Sequence, residues 1–292
     1  MFRNIVKKYK ARGLSGIVDA ANRRLFPKKI KFYEVVKDIV SSGRGFEVGG
    51  ASFIFTDSGQ IRLYKYIKHL DNCNFSGNTV WEGEISKRYE YRYHRSRGAG
   101  TQYILEATDL KGIDDDKYDF LLSSHMIEHT ANTIQCINEW LRVIKENGHL
   151  VLVIPHKDGT FDHKRPTTTL EHFIEDYKND VDEYDLTHLD EILKTHDLKL
   201  DPDAGTFEEF KNRSQLNYEN RCLHHHTFTA RNVVELMDYL RLKIMVIECI
   251  APSHILVVVQ KVKENNAIDN SNIINYINSS DFKSPFISDQ SF

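Results

Sequence analysis

Residues 118–129 read Tyr-Asp-Phe-Leu-Leu-Ser-Ser-His-Met-Ile-Glu-His and decide the fold class. An apolar run of this length that ends in small polar residues predicts a buried strand followed by a loop. Apolar residues then recur at helical spacing, at Ile134, Ile137, Leu141 and Ile144. A second apolar run follows at residues 150–154. A strand, a helix and another strand in this order indicate one unit of a parallel α/β sheet.

Further strand candidates lie on both sides of this unit. They are residues 46–48, 65–70, 103–106, 243–249 and 254–260. Apolar residues between Val233 and Leu240 predict another helix, with Thr229 as its N-cap. Seven strands that alternate with helices predict an α/β fold with a doubly wound, mostly parallel sheet.

The chain divides into a central domain and flanking segments. We expect residues 1–43 to form a basic helical arm and residues 44–263 to form the main domain. Residues 157–226 interrupt the alternation of strands and helices, and we expect them to form a helical insertion after strand five, over the active site. Residues 264–292 are rich in Asn, Ser and Asp and predict a disordered tail.

Charge is distributed unevenly along the chain. Residues 1–44 hold 12 Lys and Arg against 3 Asp and Glu, a net charge of +9, so a total of -3 leaves -12 for the rest. The basic arm predicts either a solvated helix face or peripheral contact with an anionic membrane surface. The acidic remainder argues against a nucleic-acid substrate, because a phosphate backbone attracts Lys and Arg.

Other sequence features limit the class of protein. A chain of 292 residues can bury a full core. Its apolar runs are shorter than the roughly 18 residues that a membrane span needs. The four cysteines are widely spaced and form no CxxC pair, so we expect reduced thiols and a cytoplasmic protein.

A glycine-containing turn follows the first predicted strand. Residues 46–52 read Phe-Glu-Val-Gly-Gly-Ala-Ser, and glycine lets a backbone approach a ligand without a Cβ clash. In dinucleotide-binding folds an acidic residue about 20 positions later binds the ribose hydroxyls. Asp71 stands 22 residues after Gly49 and directly follows the second predicted strand.

These segments as a set resemble the class I S-adenosylmethionine-dependent methyltransferases, particularly the methyltransferase type 11-like group. The resemblance covers residues 44–156 and 224–262, and is strongest at residues 118–129 and 141–155. It implies a Rossmann-like fold, methyltransferase activity and S-adenosyl-L-methionine as cofactor.

The resemblance also implies roles for individual residues. The methionine end of the cofactor would be lined by Glu47, Gly49, Gly50 and Ser52. Asp71 would bind the ribose, and Asp109 with Leu110 would lie beside the adenine. Ser123, Ser124 and His125 would form the floor between cofactor and acceptor. Ala51-Ser52 replaces a second spaced glycine of the family, which leaves open a non-catalytic scaffold that binds the cofactor.

Histidine is dense after strand five, with eight of the 14 histidines between His156 and His226. We expect His163, oriented by Asp162, to be the general base, with His156 as the second candidate because it directly follows the strand. Each of these histidines could instead have a structural or surface role.

A divalent metal at His125, Glu128 and His129 is a further alternative, since some related O-methyltransferases hold an ion with an acidic and histidine cluster. The run from His224 to His226 is too tight to direct three ligands at one ion.

The expected function is O-methylation of a sugar or another polyhydroxylated metabolite in glycan or polysaccharide biosynthesis. The expected partner is therefore a small molecule or a glycan, with no nucleic acid. Aromatic residues such as Trp81 could stack against a sugar or form a packed cap. A nucleic-acid methyltransferase and a cofactor-binding scaffold are the alternatives.

Overall fold

The structure, a computed structural model, describes residues 30–81, 83–85, 90–263 and 267–290. Most of the predicted basic arm therefore lies outside the described residues. Its described part contains helix α1, Tyr33–Ser41, which buries Val36 and Val40. Within the described residues, no helix has the length and apolar character needed to cross a membrane.

Ten strands are described, two of which form a small separate hairpin. They are β1 (Arg44–Val48), β2 (His69–Asn74), β3 (Asn78–Thr79), β4 (Gly83–Glu84), β5 (Glu90–Tyr91), β6 (Gly100–Ile104), β7 (Tyr118–Ser124), β8 (Ile144–Pro155), β9 (Lys243–Ile250) and β10 (His254–Gln260).

The main sheet has the strand order β5-β6-β2-β1-β7-β8-β10-β9. Strands β6, β2, β1, β7 and β8 are mutually parallel, and β10 runs antiparallel to both of its neighbours. This confirms the doubly wound, mostly parallel Rossmann-like sheet. The sheet has eight strands rather than seven, because the two-residue strand β5 pairs antiparallel with the edge of β6.

The remaining helices are α2 (Thr133–Val143), α3 (Leu170–Lys178), α4 (Leu189–Thr195), α5 (Phe207–Gln215), α6 (Asn217–Asn220), α7 (Ala230–Tyr239) and α8 (Ser271–Ile277). Helix α2 covers one face of the sheet and buries Trp140 completely. Thr229 caps α7 as predicted, through a reciprocal pair of hydrogen bonds with Asn232.

The second predicted strand is displaced along the chain. The sequence predicts residues 65–70, whereas β2 is His69–Asn74 and pairs Cys73 with Val48. Polar residues Asn72 and Asn74 occupy buried positions of this strand, so an apolar pattern cannot locate its end. The carboxyl end of β2 therefore lies at Asn74, three residues beyond Asp71.

The segment between β8 and α7 is helical, as predicted for residues 157–226. It contains α3 to α6, and a small core of its own forms around Ile192, Phe210 and Leu223. It also contacts the carboxyl edge of the sheet: Arg221 pairs with Glu106 at 2.6 Å after β6.

The prediction of a disordered tail is wrong for residues 267–290. Asn270 donates to the Leu242 carbonyl oxygen at 2.9 Å, and α8 follows it. Phe286 stacks on His156 with ring centroids 4.0 Å apart, and Asp289 accepts from the Ala230 amide at 3.0 Å. Composition missed this segment because Asn, Ser and Asp dominate it, whereas a short apolar face of α8, formed by Ile273, Ile274 and Ile277, packs against the main core.

Candidate active site

The topology of the sheet defines one place for a ligand. The chain passes from β1 to β2 on one side and then crosses to β7 on the other, so the order reverses between β1 and β7. Open α/β sheets bind ligands at such a switch point, beyond the carboxyl ends of the strands. Gly49 follows β1 there and Ser124 ends β7, so both residues lie where the sequence predicts the cofactor.

The turn after β1 is shaped for close approach. Gly49 is exposed with φ of 80°, and a Cβ on it would lie 2.9 Å from the Met126 side chain. A Cβ on Gly50 would lie 2.5 Å from the Tyr91 hydroxyl. Both positions therefore require glycine, and the Gly49 backbone faces the open side of the turn.

Glu47 stabilises this turn through buried hydrogen bonds. It is fully buried and accepts hydrogen bonds from Tyr91 at 2.5 Å, Tyr64 at 2.8 Å and the Ser52 hydroxyl at 2.7 Å. Burial raises the pKa of the Glu47 carboxyl, and these donors offset part of that rise. The expectation that Glu47 lines the cofactor is corrected: Glu47 and Ser52 bond to each other and hold the turn.

Asp71 does not reach the predicted ribose site. It lies within β2 opposite Phe46, is 3% exposed, and binds Arg44 at 2.6 Å and the Tyr118 hydroxyl at 2.9 Å. The ribose role predicted for Asp71 is therefore wrong. Asn74 occupies the end of β2 and donates to the Gly50 carbonyl oxygen at 3.0 Å.

The predicted adenine residues lie in the loop after β6. Asp109 is exposed, whereas Leu110 is buried and its amide donates to Glu139 at 3.0 Å. Asp109 also lines a cavity of about 360 Å³ between this loop, α2 and the insertion. Four carboxylate residues besides Asp109 line it, namely Glu139, Asp180, Asp182 and Glu183.

The loop after β7 turns sharply at His125. This residue has φ of 51°, a left-handed conformation that is uncommon for a residue with a side chain and that recurs at functional sites. The turn leads directly into Glu128 and His129. Glu128 is 1% exposed, and His125 Nδ1 and His129 Nε2 lie 3.9 Å and 3.8 Å from its Oε1 atom.

His224, from the end of the insertion, completes this cluster. Its Nδ1–H donates to Asp162 at 2.5 Å, and its Nε2 atom lies 4.0 Å from Glu128 Oε1. His129 Nδ1–H donates to the Leu223 carbonyl oxygen at 3.0 Å. Each imidazole therefore uses one nitrogen for orientation and turns the other toward Glu128.

Burial and neighbouring charges have opposing effects on the pKa values of the cluster. Burial by itself lowers the pKa of His224, but Asp162 and then Glu128 outweigh it, so the pKa is raised. Burial raises the pKa of Glu128 to about 7, although His224 opposes this. Burial, reinforced by His224, lowers the pKa of His129, which is therefore neutral.

Glu128, His129 and His224 offer three ligand atoms within 4.8 Å of one another, so they could hold a metal ion. Glu128 Oε2 is buried and has no hydrogen-bond partner among the described residues. Asp162 and the Leu223 carbonyl are outer partners of the kind that orient metal-bound histidines. The metal predicted at His125, Glu128 and His129 stays a prediction, with His224 added to its candidate ligands.

The two predicted bases lie elsewhere. His163 pairs with Asp197 at 3.1 Å, so the Asp162 support that the sequence assigns to His163 goes to His224. His156 is fully buried and lies 3.2 Å from Asp289. These contacts give His156 a structural environment, and its role as second base stays a prediction.

The three consecutive histidines point to three different places, as their spacing predicts. His224 joins Asp162, His225 contacts Asn217 at 3.1 Å, and His226 lies 3.1 Å from the Ala131 carbonyl oxygen. Sequence reasoning missed His224 because its partners are 62 and 96 residues away along the chain. Its only sequence signal was the density of histidine itself.

Comparison with known proteins is consistent with this geometry. Residues 65–152 match the family described as methyltransferase domain. None of the curated proteins matches the chain. Similar solved structures include an S-adenosylmethionine-dependent methyltransferase from Aquifex aeolicus, with 12% identity, a TM-score of 0.43, and coverage of 85% of this chain and 96% of that chain. A second, from Methanosarcina mazei, has 15% identity, a TM-score of 0.44, and coverage of 80% and 100%.

The doubly wound sheet, the glycine turn at its switch point and the match of residues 65–152 to the methyltransferase domain support one class for this chain, the S-adenosylmethionine-dependent methyltransferases, with S-adenosyl-L-methionine as cofactor.

Proposed function

We propose that this chain is an S-adenosylmethionine-dependent methyltransferase that acts on a hydroxyl group of a sugar or another polyhydroxylated metabolite, in glycan or polysaccharide biosynthesis, with His224 as general base. The observation that carries the proposal is the Asp162–His224–Glu128 chain beside the switch point. An imidazole held by a carboxylate on one nitrogen, with the other nitrogen free, is the arrangement that general-base catalysis requires.

The chemistry assigns a separate task to each residue. S-adenosylmethionine, when bound, supplies an electrophilic methyl group. An alcohol must lose its proton as its oxygen bonds to carbon, and neutral His224 accepts that proton at Nε2. Asp162 orients the ring through Nδ1 and stabilises the imidazolium that results. Glu128 faces the same nitrogen and stabilises the same positive charge.

The described residues fit the cofactor at the carboxyl edge of β1, β2 and β7. The exposed Gly49 backbone, whose position admits no Cβ, would hold the methionine end together with Ser124. Asn74, rather than Asp71, stands at the end of β2, where it would bind the ribose. Asp109 would bind the adenine from the loop after β6.

Two features support a hydroxylated acceptor. Trp81 is 55% exposed and lies beside His129, with ring centroids 5.2 Å apart, so its free face can stack on a sugar ring. The insertion is acidic, with 14 Asp and Glu against 5 Lys and Arg in residues 158–205. Carboxylates accept hydrogen bonds from hydroxyl groups but repel a phosphate backbone.

The test compares His224→Gln with His163→Gln in a methyl-transfer assay. The assay uses isotope-labelled S-adenosylmethionine and a panel of nucleotide sugars, monosaccharides and oligosaccharides. Loss of a general base should reduce turnover of His224→Gln by about 10²–10⁴-fold. His163→Gln should stay within a few-fold of wild type, because His163 pairs with Asp197 and not with Asp162. Cofactor affinity should be similar in both variants.

Different failures of this test have different meanings. Turnover of His224→Gln within tenfold of wild type would remove His224 from the role of base. Methylation of nucleic acid but of no sugar would refute the proposed acceptor class. Cofactor binding with no methyl transfer to any acceptor would favour the non-catalytic scaffold.

A further inference from the structure

A second group of histidines lies in the insertion, away from the Glu128 cluster. His172 and Asp176 lie one turn apart on α3, His188 immediately precedes α4, and His226 precedes α7. One ring nitrogen of each histidine lies within 4.8 Å of the others. Three segments that are separate in sequence thus direct ligand-type atoms at one point.

We propose that His172, His188, His226 and Asp176 form a zinc-binding site that holds three parts of the helical insertion together: α3, the start of α4 and the segment before α7. The donor set is three imidazoles and one carboxylate. Zn²⁺ takes nitrogen and oxygen ligands of this kind in closed, four-coordinate sites, whereas Mg²⁺ and Ca²⁺ prefer oxygen ligands alone. The proposal does not depend on the acceptor or on the base.

The distances match a tetrahedral site. Zinc–ligand bonds of 2.0–2.1 Å place neighbouring ligand atoms of a tetrahedron roughly 3.3 Å apart. His172 Nε2 lies 2.9 Å from His188 Nε2 and 3.4 Å from Asp176 Oδ2. Small shifts of these side chains therefore suffice to surround one ion.

Two buried atoms of this group lack hydrogen-bond partners among the described residues. They are Asp176 Oδ2 and His226 Nδ1. His226 Nε2 lies 3.1 Å from the Ala131 carbonyl oxygen and 3.6 Å from Asp176 Oδ2. Asp176 Oδ2 thus faces Nε2 of both His172 and His226 without a hydrogen bond to either, and a buried carboxylate oxygen in that position is costly without a cation.

The metal-free alternative is a hydrogen bond between His172 and His188. One shared proton explains their 2.9 Å distance. It leaves Asp176 Oδ2 without a hydrogen bond, whereas an ion would bind this oxygen together with the three histidines. The site would also fix the backbone two residues after His224, which links the insertion to the position of the proposed base.

The experiment measures zinc directly in the full chain. Wild-type protein is loaded with Zn²⁺, desalted and analysed by elemental mass spectrometry, and its affinity is measured by titration. His188→Gln is the test variant, and Glu128→Gln is the matched control because it alters only the other cluster. Co²⁺ replacement gives a second readout, since tetrahedral Co²⁺ has strong visible absorption. Circular dichroism establishes that each variant is folded.

We expect wild-type protein to retain zinc and His188→Gln to lose one equivalent. Affinity should fall by more than the 10–100-fold that an outer-shell substitution typically causes. Glu128→Gln should keep the equivalent that His188→Gln loses. A wild-type protein that retains no zinc, or zinc that is lost in Glu128→Gln and kept in His188→Gln, would overturn the proposal. If His188→Gln is unfolded, Asp176→Asn replaces it with the same expected loss.

Discussion

At the scale of single residues, the partner of Asp162 identifies the histidine that we propose as general base. Its carboxylate is buried, bonds to His224 at 2.5 Å and lies 3.3 Å from Arg165. The adjacent His163 pairs with Asp197, so the sequence-based pairing of His163 with Asp162 was wrong. A carboxylate accepts from the donor that the tertiary structure places in front of it, and here that donor lies 62 residues away.

The pH dependence of turnover tests this pair. Only neutral His224 accepts a proton, so turnover should rise with pH as His224 deprotonates. Against the lowering effect of burial, Asp162 contributes most to the raised pKa of His224. Asp162→Asn removes that charge, so the rise in turnover should shift to lower pH. pH–rate profiles measure the shift, and Asp197→Asn serves as control because it alters only the partner of His163. Identical profiles for wild type and Asp162→Asn would contradict the pair.

A second residue-scale prediction separates Asp71 from Asn74. Asp71→Asn disturbs buried hydrogen bonds with Arg44 and Tyr118, so we expect it to lower the free energy of unfolding by about 1–3 kcal/mol. Arg44 is partly exposed and can recover water, which limits the loss. Cofactor affinity should stay unchanged, whereas Asn74→Ala should weaken it. Chemical denaturation and calorimetric titration measure both. Weakened cofactor binding in Asp71→Asn alone would return the ribose role to Asp71.

At the scale of elements, the segment after β10 is part of the fold. Asn270 bridges β9 and its preceding loop, and Asp289 lies 3.2 Å from His156 beneath the end of β8. Truncation after Lys263 removes the buried hydrogen bonds that Asn270 makes with Leu242 and Ile244 and that Asp289 makes with the Ala230 amide. It should therefore lower the free energy of unfolding by about 1–3 kcal/mol for each buried group that is left without a partner.

The measurement is chemical denaturation of the truncated and full chains. Asp289→Asn in the full chain tests the contacts of this carboxylate separately, and Asp281→Asn is the control because that side chain is exposed. A truncated protein as stable as the full chain would show that these contacts contribute nothing. Helix α7 provides a smaller test: Thr229→Ala removes its N-cap and should cost about 1 kcal/mol.

At the scale of the whole molecule, the charge distribution separates the N-terminal region from the rest. Residues 1–44 have a net charge of +9 against -12 elsewhere. A basic region of this kind is attracted to an anionic membrane surface. We therefore predict binding to vesicles that contain anionic lipid, with weaker binding at high salt because screening reduces surface attraction.

Vesicle sedimentation tests this prediction. Replacement of Lys7, Lys8 and Lys10 by Gln should reduce binding to anionic vesicles, because each basic residue near the surface contributes roughly 1 kcal/mol. Replacement of Lys194 and Lys199 in the acidic insertion is the matched control and should have little effect. Equal binding to neutral and anionic vesicles would contradict an electrostatic arm.

The sequence by itself determined the fold class and the edge of the sheet that holds the site. The apolar periodicity of residues 118–154 and the N-cap of α7 involve residues that are close in sequence, so the sequence alone is enough to recognise them. The alternation of strands and helices also predicts that the glycines lie directly after β1 and that Ser124 lies at the end of β7. By contrast, β2 contains buried Asn72 and Asn74, so its register and the place of Asp71 depended on its neighbours in the sheet.

Only the tertiary structure decided which acidic and histidine side chains meet. Asp162 pairs with His224, Asp289 with His156, and Asp176 approaches His172. The sequence does not distinguish a histidine that acts as a base from one that binds a metal or has a buried structural role. Its role follows from the carboxylate or carbonyl that chain packing places against each ring nitrogen, and these partners come from distant segments.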